Sequence, residues 1–200
     1  MKTYGLIGKS LGHSFSPGFF NSFFEEHGIQ AQYKLIELDS IERVKPILDG
    51  AYHGLNVTIP YKEEIIPFLD ELSPEAKAIG AVNTMVFSEG KAIGFNTDAF
   101  GFQQSIKPFL TFEHERALIL GTGGSSKAVA YVLRNLGIQV NFLSRKQPSG
   151  QQFSYEQVNE AMLSACKLIV NCTPVGMFPK IDGCPLPSLQ GIGPSHLVVD

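Results

Sequence analysis

Leu118-Ile119-Leu120-Gly121-Thr122-Gly123-Gly124-Ser125-Ser126-Lys127-Ala128 decides how this chain folds. An apolar run breaks into glycines and passes into the alanine-rich pattern Ala128-Val129-Ala130-Tyr131-Val132-Leu133. That is a strand, a tight turn and a helix N-terminus, whose free N–H groups and dipole attract a phosphate. Glycine is needed in the turn because a side chain would hold a pyrophosphate away from the backbone. Gly121-x-Gly123-x-x-Ser126 lacks the third glycine of the dinucleotide fingerprint, and a lone GxG is a weak signal. The strand and helix on its two sides strengthen it; a glycine-rich turn without a ligand is the alternative.

The next strand downstream, Gln139-Val140-Asn141-Phe142-Leu143, ends in Ser144-Arg145-Lys146. An NAD site places Asp or Glu at such a strand end to accept from the ribose 2′-OH. Here two cations stand there and no acid. A guanidinium bonds a 2′-phosphate in a fork that a carboxylate would repel, which favours NADP. An exposed basic strand end is the bland reading. Asn171-Cys172-Thr173-Pro174-Val175-Gly176-Met177 follows another apolar run, beyond the carboxyl end of a parallel strand, where ligands of such sheets bind.

Working outward, the second half runs strand 116–120, helix 124–136, strand 138–143, helix 155–164, strand 167–171 and strand 196–200. The first half alternates in the same way: Tyr4–Gly8, a helix near 17–27, Tyr33–Leu38, a weaker helix near 41–48, and Leu55–Ile59. A hairpin over 83–95 turns at Glu89-Gly90. Asp98 caps a helix that Pro108 ends. The order β-α-β-α-β argues for two α/β domains with largely parallel sheets. Residues 1–100 form one and residues 101–200 the other, with helix 98–107 as connector. The last strand ends at the C-terminus, so the second domain reads as unfinished.

Composition narrows the function classes. The chain has 200 residues, 44% of them hydrophobic, enough for a real core, and a net charge of −3 gives no basic field for nucleic acid. No apolar run is long enough for a membrane span, and no signal-peptide core is visible. Cys166, Cys172 and Cys184 form no CxxC pair, and reduced thiols in a cytoplasmic protein are the simplest reading. The histidines lack ligand spacing, so no metal is expected.

Polar residues cluster in the first half. Ser16 and Pro17 fit the cap and first residue of a helix, and Ser14, two residues upstream in extended chain, turns its hydroxyl to the same side. Two hydroxyls at a helix N-terminus suit a carboxylate. The phenylalanines at 19, 20, 23 and 24 read as core. In Asn56-Val57-Thr58-Ile59-Pro60-Tyr61-Lys62, Asn56 and Thr58 share one face, Pro60 stops the strand, and Lys62 falls in the first turn of a helix. A solvated surface lysine is the alternative. Asp98 is an N-cap, a site carboxylate, or both.

Together these motifs resemble the shikimate dehydrogenase family, over the whole of Met1–Asp200. They are Ser14-x-Ser16-Pro17, Asn56-Val57-Thr58-x-Pro60-x-Lys62, Gly80-Ala81-Val82-Asn83-Thr84, Asn96-Thr97-Asp98, Gly121-x-Gly123-Gly124 and Asn171-x-Thr173-Pro174-x-Gly176-Met177. The resemblance implies an N-terminal substrate domain and a Rossmann-like NADP domain. It implies reversible NADP-dependent reduction of 3-dehydroshikimate to shikimate, in the chorismate route to aromatic amino acids. Carried over, Ser14 and Ser16 hold the substrate carboxylate, and Asn56, Thr58, Asn83 and Asp98 bond its ring hydroxyls. Lys62 is the general acid/base, with Asp98 beside it. Gly121, Thr122, Gly123, Gly124 and Ser125 hold the pyrophosphate, Ser144, Arg145 and Lys146 the 2′-phosphate end, and Thr173 lines the cofactor site.

The chain departs from the family in three places. Ser144 stands where Asn is common, Ser125-Ser126 replaces an alanine-rich continuation, and the chain stops before a tyrosine-bearing loop and a C-terminal helix with a substrate-binding Gln. A fragment is therefore expected. The competing readings are a quinate/shikimate dehydrogenase of other cofactor preference, a non-catalytic nucleotide-binding module, and a folate- or aminoacyl-tRNA-linked dehydrogenase. The partners expected are small molecules, with no nucleic acid or membrane, and a monomer or homodimer.

Overall fold

The computed structural model describes residues 1–50, 52–145, 150–178 and 180–200. Contacts divide the chain into two units, Met1–Thr97 and Asp98–Asp200. In the first, β1 (Lys2–Gly8), α1 (Ser16–Glu26), β2 (Ala31–Glu37), α2 (Lys45–Leu48), β3 (Gly54–Val57), β4 (Glu71–Leu72), α3 (Pro74–Ile79), β5 (Thr84–Ser88) and β6 (Lys91–Phe95) follow one another. They build one six-stranded sheet of order β2-β1-β3-β5-β6-β4. β5 alone runs against the others, because the hairpin turn at Glu89-Gly90 reverses it. Both turn residues have positive φ, 52° and 75°, as a tight turn matched to strand twist requires.

The two faces of this sheet bury different partners. Ile7, Leu55, Val57 and Met85 pack with Val44, Tyr61 and Ile65 on one side. Leu6, Leu11 and Tyr33 pack with Phe20 and Phe24 of α1 on the other. The phenylalanines of α1 therefore divide. Phe20 and Phe24, four apart, meet the sheet, whereas Phe19 and Phe23 stay 50% and 40% exposed in a ladder with Phe15. The expectation that all four are core is corrected: one helix stripe is too narrow to bury both pairs.

Three further expectations shift. The helix of 41–48 is a 3-10 turn, Ile41–Val44, followed by the single turn α2. No regular helix follows Pro60; residues 61–65 form turns, with Ile65 N–H donating to the Tyr61 carbonyl, before a 3-10 turn at Ile66–Phe68. The strand expected over Leu55–Ile59 ends at Val57, which leaves Ile59 58% exposed. The helix α3, absent from the pattern reading, carries its own punctuation: Ser73 accepts from Ala76 N–H, Pro74 opens it and Gly80 closes it in the left-handed region.

In the second unit come α4 (Asp98–Ile106), β7 (Arg116–Leu120), α5 (Gly124–Asn135), β8 (Gln139–Ser144), β9 (Gln152–Ser154), α6 (Glu160–Ala165), β10 (Leu168–Asn171) and β11 (Leu197–Val199). The sheet order is β11-β10-β7-β8-β9, all parallel. β7 is central because both its faces are apolar: Ala117 and Ile119 meet α4 and α5, Leu118 and Leu120 meet α6. β7 and β10 are the strands at which the order reverses, so the loops after them lie at the switch point of a doubly wound sheet. The helix expected over 155–164 is shorter, because a 3-10 turn at Tyr155–Gln157 takes its start and Asn159 caps α6 by accepting from Met162 N–H at 2.9 Å.

Candidate functional site

The polar motifs of the first unit interlock. Asn83, buried between β5 and the end of β6, accepts on Oδ1 from Thr97 N–H at 2.9 Å and from the Thr84 hydroxyl at 3.0 Å, and its Nδ2 donates to Thr97 Oγ1 at 3.0 Å. Asn56 on β3 donates to the Asn83 carbonyl and to Thr84 Oγ1, at 3.3 and 3.2 Å. Asn96 donates to the Ala81 carbonyl at 2.9 Å. Three motifs far apart in sequence thus form one network, which fixes the backbone up to Thr97 and so the start of Asp98. Thr58, just beyond β3, is held through its backbone N–H to the Ile7 carbonyl at 2.8 Å.

The serine pair differs from its expected geometry. Phe15 is already helical, with φ −70° and ψ −28°, so α1 starts at Ser16 and Pro17 is its second residue. Ser16 does not cap the helix. Ser14 approaches that task, accepting from Ser16 N–H at 3.3 Å. The chain between them is therefore curled, not extended. Its loop is tied down by Leu11 N–H donating to the Glu37 carboxylate at 2.6 Å.

Lys62 is half-buried in the turn after Pro60. The turn is held at both flanks: the Lys62 carbonyl accepts from Val82 N–H at 2.7 Å, and the buried Tyr61 hydroxyl donates to the Leu38 carbonyl at 2.5 Å. Burial pushes the Tyr61 phenol up, helped by the nearby carboxylates of Glu64, Asp39 and Glu42. Asp98 is half-buried and opens α4. A further residue, absent from every motif, is Tyr33, whose phenol donates to Asn56 Oδ1 at 2.8 Å. Tyr33, Asn56 and Thr84 line a cavity of about 430 Å³ together with Tyr4, Phe20 and Phe24. A tyrosine in an alternating strand carries no mark in sequence beyond its strand preference.

In the second unit the glycine turn has the geometry of an anion cradle. Gly121 has φ +100°, and a Cβ there would stand 3.1 Å from Thr173 Cγ2 and 3.3 Å from the Cys172 carbonyl oxygen. Glycine is thus demanded twice, and Thr173 lies against the turn. Space around Gly123 is open, no side chain caps α5, and its first turn carries no acid. Its N–H groups and dipole are left for an incoming anion. The loop after β10 braces itself, Asn171 Oδ1 accepting from Thr173 N–H at 3.0 Å and from its hydroxyl at 2.7 Å. Arg145 is exposed directly after β8, beside Tyr155, while Ser144 is buried and registers with Ser154. Lys146 lies outside the described residues. These donors fit a dinucleotide phosphate group, with Thr122 and Ser125 half-buried in the same turn.

Ser126, at the place of the third fingerprint glycine, is fully buried and its hydroxyl has no hydrogen-bond partner among the described residues. An orphaned buried hydroxyl costs about 1–3 kcal/mol. Ser126→Ala is expected to stabilise the protein by about 1 kcal/mol, raising Tm by about 2–4 °C. A lowered Tm in a thermal melt would contradict this.

Fold and site define the class, a nicotinamide-nucleotide-dependent α/β dehydrogenase. A family model described as the shikimate dehydrogenase substrate binding domain matches residues 6–85, and the shikimate dehydrogenase (NADP(+)) of Aquifex aeolicus is 41% identical over 188 residues, 88% of this chain and 70% of that protein. The chain belongs to the shikimate dehydrogenase family. The shikimate dehydrogenase (NADP(+)) of Clostridium beijerinckii is 36% identical over 202 residues, 93% of this chain and 73% of that protein. The crystal structure of shikimate 5-dehydrogenase from Thermus thermophilus, in complex with NADP(H) and shikimate, superimposes with a TM-score of 0.83 at 32% identity, covering 100% of this chain and 78% of that one.

Proposed function

We propose that the protein catalyses the NADP-dependent, reversible reduction of 3-dehydroshikimate to shikimate, a step toward the aromatic amino acids. The observation that carries this reading is the single network joining Asn56, Asn83-Thr84 and Thr97, in a family whose named relatives are NADP(+)-dependent shikimate dehydrogenases. Residues 1–100 act as the substrate domain and residues 101–200 as the NADP domain.

Ser14 and Ser16, with the N-terminus of α1, take the substrate carboxylate. Thr58, Asn56, Asn83 and Asp98 take the ring hydroxyls; Asn56 Oδ1 keeps a second lone pair for that purpose after Tyr33 has used one. The α5 N-terminus at Gly121–Ser125 takes the pyrophosphate, Arg145 the 2′-phosphate with Ser144 and Lys146 at the same strand end, and Thr173 the adjoining wall. NADP supplies or accepts the hydride. As hydride reaches the ketone, charge gathers on its oxygen, where the Lys62 ammonium stabilises it and delivers the proton. Asp98 is the carboxylate of this catalytic pair. No metal takes part in this scheme.

Cys166 and Cys184 are free thiols among the described residues, which suits the reducing cytoplasm. No helix among the described residues is long and apolar enough to cross a membrane. A monomer or homodimer suffices for the chemistry. Calorimetric titration tests the ligand assignment: NADP is expected to bind more tightly than NAD, and shikimate more tightly than quinate. Equal affinity for both nucleotides would contradict the role of Arg145, and no heat from shikimate would contradict the substrate.

A further inference from the structure

Tyr33, in the middle of β2, belongs to none of the six motifs and is 5% exposed. Its ring stacks on Phe20 of α1, centroids 4.7 Å apart and 15° from parallel. Its backbone N–H donates to Asn21 Oδ1 at 2.8 Å, and its carbonyl accepts from Asn21 Nδ2 at 3.1 Å. Helix α1 is thus fastened to β2 at this residue, which leaves the phenol little freedom. That phenol meets the site directly, donating to Asn56 Oδ1 at 2.8 Å.

The proton positions follow from Asn83. Its carbonyl only accepts, so the Asn56 atom facing it is Nδ2, and Oδ1 faces Tyr33. Tyr33 therefore donates to Asn56, and its one proton is used. Burial pushes the phenol up to about 12, with Ser16 working against that rise, so it stays protonated across the neutral range.

We propose that Tyr33 is a positioning residue of the substrate site, holding Asn56 in the orientation that meets a ring hydroxyl. This rests on the substrate reading given above. Tyr33→Phe removes one oxygen and keeps the stacking ring. By calorimetry it is expected to weaken shikimate binding about tenfold, one hydrogen bond's worth, while NADP affinity changes less than about twofold. Because Tyr33 acts through Asn56, Tyr33→Phe is expected to add less than about twofold in an Asn56→Ala background.

Unchanged shikimate affinity in Tyr33→Phe, or losses that simply add in the double variant, would overturn the proposal. Should Tyr33→Phe fail to fold, NMR of the wild type with shikimate bound serves instead: a slowly exchanging Tyr33 hydroxyl proton close to the Asn56 side chain is expected, and its absence overturns the proposal. Wild-type protein giving no shikimate heat while binding NADP would overturn the substrate reading, and this proposal with it. A wild type that binds shikimate beside an unaffected variant overturns the role of Tyr33 alone.

Discussion

Lys62→Ala is expected to lower kcat for shikimate oxidation by about 100- to 10,000-fold, with KM for shikimate changed far less. The asymmetry follows from what the ammonium does. Charge gathers on the reacting oxygen only as hydride moves, so a group aimed there binds the transition state better than the ground state. The turn carrying Lys62 is held through Val82 N–H on its own carbonyl and through Tyr61 anchored to Leu38. Lys62→Arg separates two versions of the role. Guanidinium keeps the charge but does not exchange a proton near neutrality, so it restores activity only if charge alone matters. Steady-state kinetics on both variants decide this, and an unchanged kcat in Lys62→Ala removes Lys62 from the chemistry.

The second large effect is one of cofactor choice. Arg145→Ala is expected to raise KM for NADP about 10- to 100-fold and to leave KM for NAD nearly unchanged. A charge-assisted hydrogen bond to phosphate is worth about 1.5–3 kcal/mol, and only NADP carries the phosphate that receives it. Arg145 is exposed, directly after β8 and next to the strand that feeds the glycine turn. Equal losses for both nucleotides would mean that Arg145 serves the fold or the pyrophosphate instead.

The second unit was the more legible in sequence, for a physical reason. β7 and β10 are covered on both faces, so they appear as apolar runs, and Gly121 between β7 and α5 is demanded by backbone geometry. The short elements were hidden: β4 has two residues and β9 three, too few for any period to register. The turn at 61–65 passed for a helix because Tyr61-Lys62-Glu63-Glu64 has helical composition, while its conformation is set by contacts with Val82 and Leu38, both far along the chain. Ser16 looked like a cap because it precedes a proline, yet α1 begins one residue earlier.

The candidate site was legible as residue types and not as a network. Asn56, Asn83 and Thr97 announce themselves as polar residues among apolar neighbours. Their hydrogen bonds arise only once β3 pairs with β5 and β5 with β6. Tyr33 was invisible for the same reason. Its partner lies 23 residues away and two strands over, across β1.

The most direct test of the account is absorbance at 340 nm when the protein is mixed with NADP+ and shikimate. The account predicts a steady rise in reduced cofactor that requires shikimate, is weaker with NAD+ and falls away in Lys62→Ala. No rise with shikimate above that seen without any substrate would contradict it.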